Sequence, residues 1–246
     1  MRKGIFRVQV LLAFFAFCPL LVKGKVVDVA VTPNYTCSLD RGLVVCWGET
    51  QHPSVAADAF NVPELTDPVD IDASGDQSGV CAAHKDRVTC WGGVRESDGY
   101  YPNPRQVVVD VLGRNMCVLH DQGVECGGFT KEIREVPILS NPTDISMHDG
   151  HACAIHEEGG VKAVKCWGES NWGGQLTVPP LKNPVSVAAG SGFTCALDDN
   201  GVTCWGDNRV SQLAVPDLQN PTFLDAAGVG ACAVDGNDVK CWGDHP

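Results

Sequence analysis

The chain has 246 residues, of which 44% are hydrophobic, and a net charge of −12 from 30 acidic and 18 basic side chains. This length fits a single domain with a packed core. Because the excess of negative charge repels phosphate groups, it argues against nucleic acid and anionic membranes as partners. The same charge gives solubility, and it favours a basic protein over an acidic one as partner.

Residues 1–24 have the pattern of a secretory signal peptide. Basic residues within positions 2–7 precede an apolar run over 8–22, and Val22-Lys23-Gly24 supplies a cleavage site. We therefore expect a secreted or periplasmic mature chain that starts near Lys25. Cleavage removes four basic residues and no acidic ones, which leaves 14 basic and 30 acidic residues and a net charge of −16. The apolar run is short for a membrane span, so we expect none after cleavage.

Twelve of the thirteen cysteines form six regularly spaced pairs, and the thirteenth, Cys18, lies in the signal segment. Five pairs are nine residues apart and one is thirteen apart, and five of the second cysteines begin a Cys-Trp-Gly triplet. The pairs are Cys37/Cys46, Cys81/Cys90, Cys117/Cys126, Cys153/Cys166, Cys195/Cys204 and Cys232/Cys241. Copies at intervals of 36 to 44 residues predict six repeats of one structural unit over 25–246.

The spacing of each pair fits a disulfide across a β-hairpin. In the fifth copy, a turn-forming Asp-Asp-Asn-Gly segment separates two three-residue arms, so a hairpin places Cys195 opposite Cys204. Ala196 then faces Thr203. Opposed residues at such a site have Cα atoms about 4.5 Å apart, within the range of a disulfide. Zinc is the alternative, but structural zinc sites usually use closer cysteine spacing than is present here.

Each copy predicts three or four short strands. An alternating apolar segment rich in Val and Ile, such as 185–189, precedes the hairpin, and a variable connector that often contains Val-Pro and Asn-Pro follows it. Such a unit cannot bury both sheet faces alone, whereas stacking units around a ring buries them. The sequence therefore predicts an all-β protein, a β-propeller of six blades, each with one disulfide-bridged hairpin. An open solenoid is the alternative.

Two segments resemble the repeat of the regulator of chromosome condensation family. These are Ala-Ala-Gly-Ser-Gly-Phe-Thr-Cys-Ala-Leu at 188–197 and Gly-Val-Thr-Cys-Trp-Gly-Asp-Asn at 201–208. Residues 167–176 are similar to the Trp-Gly-x-Asn-x-x-Gly-Gln-Leu element of the family, with the Asn displaced by one position. The resemblance extends over 25–246 and implies the propeller fold. The paired cysteines look like those of secreted bacterial members.

The resemblance implies several functions that the sequence supports unequally. Members exchange guanine nucleotide on a small GTPase, sense ultraviolet light through clustered tryptophans, or inhibit secreted β-lactamases. An exported disulfide-bonded chain does not meet a nuclear GTPase, and one tryptophan per repeat suits a structural wedge. We therefore expect a secreted, non-catalytic protein that binds another extracellular or periplasmic protein, with inhibition as one form of this role. A glycan-binding propeller and an extracytoplasmic enzyme with an acidic or histidine site at the rim are the alternatives.

Candidate binding residues lie in the parts that differ most between copies, because loops on a rigid scaffold usually carry recognition. Trp172 is the one tryptophan outside Cys-Trp-Gly, Tyr100 and Tyr101 form the one tyrosine pair, and Phe129 follows the copy that lacks a tryptophan. Exposed aromatic residues of this kind are common hot spots in interfaces. Packing against a neighbouring blade is the alternative for Trp172 and Phe129.

Two histidines form a further candidate site. His148 and His151 flank Asp149 and would suit a metal or general-base site, although a loop histidine with satisfied hydrogen bonds is the commoner case. A second set occupies the third position after each first cysteine, where we expect turn formation. Its members are Asp40, His84, His120, His156, Asp198 and Asp235. No motif for nucleophilic catalysis or phosphate binding is present, and we expect no cofactor and no metal.

Overall fold

The computed structural model describes residues 26–32, 35–48, 60–74, 79–92, 99–169 and 171–244, and the expected signal peptide lies outside these ranges. Blade 1 contains β1 (Val26–Val31), β2 (Tyr35–Asp40) and β3 (Leu43–Gly48), and blade 2 contains β4 (Pro68–Ala73), β5 (Gly79–His84), β6 (Arg87–Gly92) and β7 (Gly99–Tyr100). Blade 3 contains β8 (Gln106–Val109), β9 (Asn115–His120) and β10 (Gly123–Gly128), and is followed by helix α1 (Lys131–Arg134). Blade 4 contains β11 (Asp144–His148), β12 (His151–Glu158) and β13 (Val161–Gly168). Blade 5 contains β14 (Ser186–Gly190), β15 (Phe193–Asp198) and β16 (Gly201–Gly206), and blade 6 contains β17 (Pro221–Ala227), β18 (Gly230–Asp235) and β19 (Asp238–Gly243).

These elements form six antiparallel sheets, one for each repeat, and confirm the predicted β-propeller. In every sheet the first strand pairs with the second and the second with the third, and blade 2 adds a short fourth strand. We call these the inner, middle and outer strands, because the first strands of successive blades pack against one another.

All six predicted disulfides are formed between the middle and outer strands. The two cysteines of each bridge are directly opposed in the strand register, with Cα atoms 4.0–4.1 Å apart. The thirteen-residue spacing in blade 4 only lengthens the hairpin, and the fifth copy has the predicted register, with Ala196 opposite Thr203. The bridges are Cys37–Cys46, Cys81–Cys90, Cys117–Cys126, Cys153–Cys166, Cys195–Cys204 and Cys232–Cys241.

Two of the second cysteines, Cys46 and Cys126, have no buried tryptophan directly after them. Cys46 precedes Trp47, which is half-exposed, and Cys126 precedes Gly127 in place of a tryptophan. Both cysteines are half-buried, and both form their bridges with the same register and spacing as the rest. The disulfide therefore depends on the register of the hairpin and does not require a buried tryptophan beside it.

Side chains on the inner strands join successive blades by accepting backbone hydrogen bonds. On each inner strand, one residue lies directly opposite the first cysteine of the blade in the strand register. We call the residue two positions before it in the chain the latch residue. Latch residues Asp28, Asp70 and Asp144 accept from the backbone N–H groups of Ile71, Val107 and Val187 at 2.8–2.9 Å, and Gln106 both accepts from and donates to the backbone of Ile145. Each such bond satisfies a backbone donor that the blade's own sheet leaves unpaired.

The tryptophans of Cys-Trp-Gly fill the space between a blade and the connector that precedes it. The indole N–H of Trp167 donates to the carbonyl oxygen of Ile133, and that of Trp205 donates to the carbonyl of Gln175 at 2.8 Å. Trp91, Trp167, Trp205 and Trp242 are 5–7% exposed. The interpretation of these residues as structural wedges therefore agrees with the packing of four of the five.

The two terminal blades pack differently from the other four. The middle strands of blades 2 to 5 are buried on both faces, whereas β2 and β18 are buried on one face only. No backbone–backbone hydrogen bond joins β17 to β1 among their described residues. We call the opening between these blades the seam. Among the described residues no helix has the length and apolar character needed to cross a membrane.

Candidate binding faces

The register of the strands divides the loops between two opposite faces of the propeller. The turns between inner and middle strands, including 149–150, 191–192 and 228–229, define the top face. The turns between middle and outer strands, including 85–86, 121–122 and 199–200, define the bottom face. Because outer strands end at the top, each connector begins there and descends to the bottom of the next blade.

Trp172 lies on the top face, at the start of the connector after blade 4, and is 58% exposed. The edge of its ring approaches Gly192, where an added Cβ would lie 2.6 Å from the indole, so this close packing requires glycine. The loop is fixed by Asn171, whose amide nitrogen donates to the Thr177 hydroxyl and whose amide oxygen accepts from the Leu176 N–H. Trp172 is therefore presented by a rigid loop with much of its surface free.

Arg209 covers one face of the Trp172 ring. Its guanidinium carbon lies 4.9 Å from the ring centroid, within the range of a cation–π interaction. The guanidinium also donates to both carboxylate oxygens of Asp207 at 2.9–3.0 Å. Desolvation disfavours ionisation of Asp207, but the hydrogen bonds from Arg209 outweigh it and lower the pKa of the Asp207 carboxyl. These contacts join an aromatic, a cation and an anion in one ordered patch.

Phe129 lies on the same face one blade earlier and is 64% exposed. Its backbone N–H donates to the carbonyl of Arg114, and the neighbouring Thr130 N–H donates to the side-chain oxygen of Asn115. Both partners belong to the top of blade 3. The top face of blades 3 to 5 therefore presents two exposed aromatic rings from loops that are held by hydrogen bonds.

His148 joins three blades near the top of the central axis. Its Nε2 accepts from the N–H of Gly228 in blade 6 at 3.0 Å. Between them, Ser191 donates its hydroxyl to Asp149 and its backbone N–H to the carbonyl of Gly228. The irregularity of a histidine where later copies have glycine thus supports a blade-to-blade contact.

His151 is fully buried beneath this network. Its Nε2 lies 3.0 Å from the Thr194 hydroxyl, which donates in turn to the carbonyl of Gln175. Burial, reinforced by the charge of His148, lowers the pKa of His151 to about 4. The two histidines of the candidate site are therefore directly opposed in the strand register, with His148 half-buried and His151 in the core. Among the described residues no group of three His, Cys, Asp or Glu side chains is arranged to hold a metal ion.

The tyrosine pair lies on the opposite side of the molecule from Trp172 and Phe129. Tyr100 is exposed on β7, opposite Arg87 at the bottom of blade 2. Tyr101 is half-buried, with its ring centroid 5.6 Å from that of His120. The structure thus brings together Trp172, Phe129 and His148 on one face and places Tyr100 on the other.

The bottom face shows a role that sequence reasoning missed. Asp198 and Asp235, expected only to form turns, accept from backbone N–H groups of the incoming connector at Lys182 and Gln219, and His84 accepts from Thr66 in the same way. These three side chains therefore fix the connectors that enter blades 5, 6 and 2 before each reaches its inner strand. The signal was the recurrence of Asp or His at one register position, three residues after each first cysteine.

Carboxylates converge on the central opening of the ring. Desolvation raises the pKa of Asp72 to about 7, and the negative charges of Asp225 and Asp28 add to the shift. Desolvation and the charge of Asp28 also raise the pKa of Asp225. Asp28, Asp72 and Asp225 are thus close enough to repel one another when ionised.

Comparison with known proteins supports both the repeat and the fold. Residues 185–212 match the Regulator of chromosome condensation (RCC1) repeat, and no curated protein sequence matches the chain. The CRINKLY WD40 ectodomain of the Arabidopsis thaliana receptor kinase ACR4 superposes with a TM-score of 0.67 at 19% identity, over 87% of this chain and 78% of that one.

Two other solved structures give a similar result. The ectodomain of the Physcomitrella patens receptor kinase CR4 has a TM-score of 0.69 at 20% identity, over 87% of this chain and 63% of that one. Prp20p of Saccharomyces cerevisiae, a protein with binding properties toward Gsp1p and histones, has a TM-score of 0.64 at 15% identity, over 89% of this chain and 72% of that one. The resemblance to the regulator of chromosome condensation repeat is therefore confirmed, and the chain has the fold of RCC1-like β-propellers.

Proposed function

We propose that this chain is an exported, non-catalytic propeller that binds another protein through the top face of blades 3 to 5. The observation that carries the proposal is the presentation of Trp172 and Phe129 by rigid loops, with Arg209 stacked on the indole. Tryptophan and arginine are the residue types most enriched in interface hot spots. Because the loops are already ordered, little conformational entropy is lost when a partner binds.

Three further observations support an extracellular protein as the partner. Six disulfides persist best in an oxidising compartment, which agrees with the signal peptide predicted for residues 1–24. Two of the similar structures are receptor ectodomains. The net charge of −12 favours a basic partner by accelerating encounter. Inhibition of a secreted enzyme is one form of this function, in which the bound partner loses activity.

The test compares a top-face variant with a bottom-face control. Wild type, Trp172→Ala/Phe129→Ala and Tyr100→Ala are immobilised, and proteins from the fluid surrounding the source cells are captured and quantified by mass spectrometry. Removal of a hot spot costs about 2 kcal/mol or more, so the double variant should retain about 30-fold less partner. Tyr100→Ala, which alters an equally exposed ring on the opposite face, should retain it fully.

The captured protein should be basic and should bind the wild-type propeller in a purified two-component titration. Equal capture by the double variant and the wild type would remove the top face from the function. Release of the partner by free sugars would favour the glycan-binding alternative instead.

A further inference from the structure

The seam exposes two apolar sheet faces that every other blade buries. Val29 and Val31 of β1 are 49% and 64% exposed, whereas their register equivalents in blades 3 to 5 are 1–6% exposed. Trp47 is 47% exposed, in contrast to the four other Cys-Trp-Gly tryptophans. On the other side of the seam, Phe223 and Val239 are also exposed. Exposed apolar surface of this extent and regularity indicates an interaction site.

The hydrogen-bond latches are also interrupted at the seam. In blades 2 to 5, the backbone N–H at the position of Val29 donates to the latch residue of the preceding blade. Val29 donates instead to the neighbouring Asp28 of its own strand. On the other side of the seam, Asp225 has the same register position as Asp72 of blade 2. Asp72 accepts a hydrogen bond from the Val109 N–H of the next blade, whereas Asp225 accepts from the N–H of its own neighbour Ala226.

Direct closure of blade 6 onto blade 1 does not restore these latches. Phe223, opposite Val234, occupies the latch position that Asp28, Asp70, Gln106 and Asp144 occupy in blades 1 to 4 and that Ser186 occupies in blade 5. The ring of Phe223 cannot accept from the Val29 N–H as the latches of blades 1 to 4 accept from the next blade. Closure would also bring Asp225 of blade 6 closer to Asp28 of blade 1, and the repulsion between their like charges opposes it. A second copy of the chain would present the same Phe223 ring, so it too would lack an acceptor for the Val29 N–H.

We propose that the seam is the docking site for a β-strand-bearing segment of a partner protein, which packs between blades 6 and 1 as an additional blade layer. The four blade interfaces that have a latch define its chemistry. Aliphatic or aromatic side chains should face Val29, Val31 and Trp47, and an Asp, Asn or Gln should accept from the Val29 N–H. A backbone N–H of the same segment should donate to Asp225. The site is separate from Trp172 and Phe129 and does not depend on their function.

Site-specific photo-cross-linking tests this proposal from both sides of the seam. Val45 or Val239, exposed on the blade 1 and blade 6 faces, is replaced by p-benzoylphenylalanine in the full disulfide-bonded chain. Ile138 and Val161, which are exposed elsewhere, carry the same probe as matched controls. The proteins are irradiated with the exported proteins of the source cells, and linked peptides are sequenced. Probes at 45 and 239 should both link to one segment of one partner, and the control positions should not.

A binding measurement with the purified partner completes the test. Val45→Glu should weaken its affinity at least 10-fold, because a charge enters an apolar interface, while Val161→Glu and Trp172→Ala should leave the affinity unchanged. Both glutamates are placed at exposed positions, so folding is preserved and is verified by circular dichroism. Cross-links from residue 45 to blade 6 of the same chain, cross-links to a second copy, links to unrelated proteins from the two sides, or no links above the controls would each overturn the proposal.

Discussion

Blades 2 to 5 and the two terminal blades carry the same repeat but have different surroundings. In blade 4, Cys153 and Ile155 of the middle strand face blade 5, while Ala152 and Ala154 face blade 3, and all four are buried. In blade 6, Ala231 and Ala233 are buried against blade 5, but Cys232 and Val234 remain half-exposed at the seam. The disulfide therefore fixes each hairpin by itself, whereas burial of a sheet face depends on a neighbouring blade. Three comparisons between the two environments and one pH dependence test this view.

The largest difference is expected for the tryptophans. Trp205→Ala removes a buried indole that donates to Gln175, so the free energy of unfolding should fall by about 3–5 kcal/mol. Trp47→Ala removes a half-exposed ring and should cost less than about 1 kcal/mol. Urea denaturation monitored by circular dichroism measures both. Equal losses would show that the seam is packed as tightly as the other interfaces.

Matched disulfides give the second comparison. The Cys81–Cys90 and Cys232–Cys241 bridges both close nine-residue separations, so the entropic contribution of each is about 2–3 kcal/mol. Cys81 is fully buried between blades, and its replacement by alanine leaves an additional cavity. Cys81→Ala/Cys90→Ala should therefore destabilise the protein by about 1 kcal/mol more than Cys232→Ala/Cys241→Ala. A reversed order in urea denaturation would contradict the assignment of the open face.

A pH dependence should distinguish the buried core from the central opening. The pKa of His151 lies at about 4 in the folded chain and near its ordinary value of 6.5 when unfolded, so the unfolded chain binds more protons between these values. This residue therefore lowers the free energy of unfolding as the pH falls from 6.5 to 4, by up to about 3 kcal/mol.

Asp72 acts in the opposite direction, because its raised pKa makes the folded chain bind more protons as the pH falls below 7. The contribution of His151 is isolated by comparing His151→Gln with wild type at pH 7 and pH 4. The stability difference between the two proteins should shift in favour of the variant at the lower pH. A difference that does not change with pH would show that His151 titrates normally.

Two aspartates of the inner strands give the last comparison. Asp144→Ala leaves the Val187 N–H without its acceptor between blades 4 and 5, which should cost about 1–3 kcal/mol. Asp225→Ala removes a carboxylate that accepts from its own strand, and relief of repulsion with Asp28 should keep the cost below about 0.5 kcal/mol or make it favourable. Similar losses of unfolding free energy for the two substitutions would mean that Asp225 already accepts a hydrogen bond from blade 1.

The sequence predicted the features that depend on local spacing. The opposition of Cys195 and Cys204 follows from hairpin parity, and six copies predicted six blades. The latches could have been found, since Asp28, Asp70 and Asp144 share one phase of the alternating inner strand. The burial of His151 and the exposure of Val29 depend on which blade lies beside each face. No local pattern contains that information, because Val29 and the buried Ile71 occupy the same position of the repeat.

Hydroxyl-radical footprinting of the native protein tests whether the seam between blades 6 and 1 is open, because it compares all six tryptophans in one sample. Trp47 at the seam and Trp172 on the top face should be oxidised several-fold faster than Trp91, Trp167, Trp205 and Trp242, in line with their greater exposure. Trp172 serves as the internal standard for an exposed indole. If Trp47 were oxidised as slowly as the four buried tryptophans, the ring of blades would be closed and the seam between blades 6 and 1 would not be open.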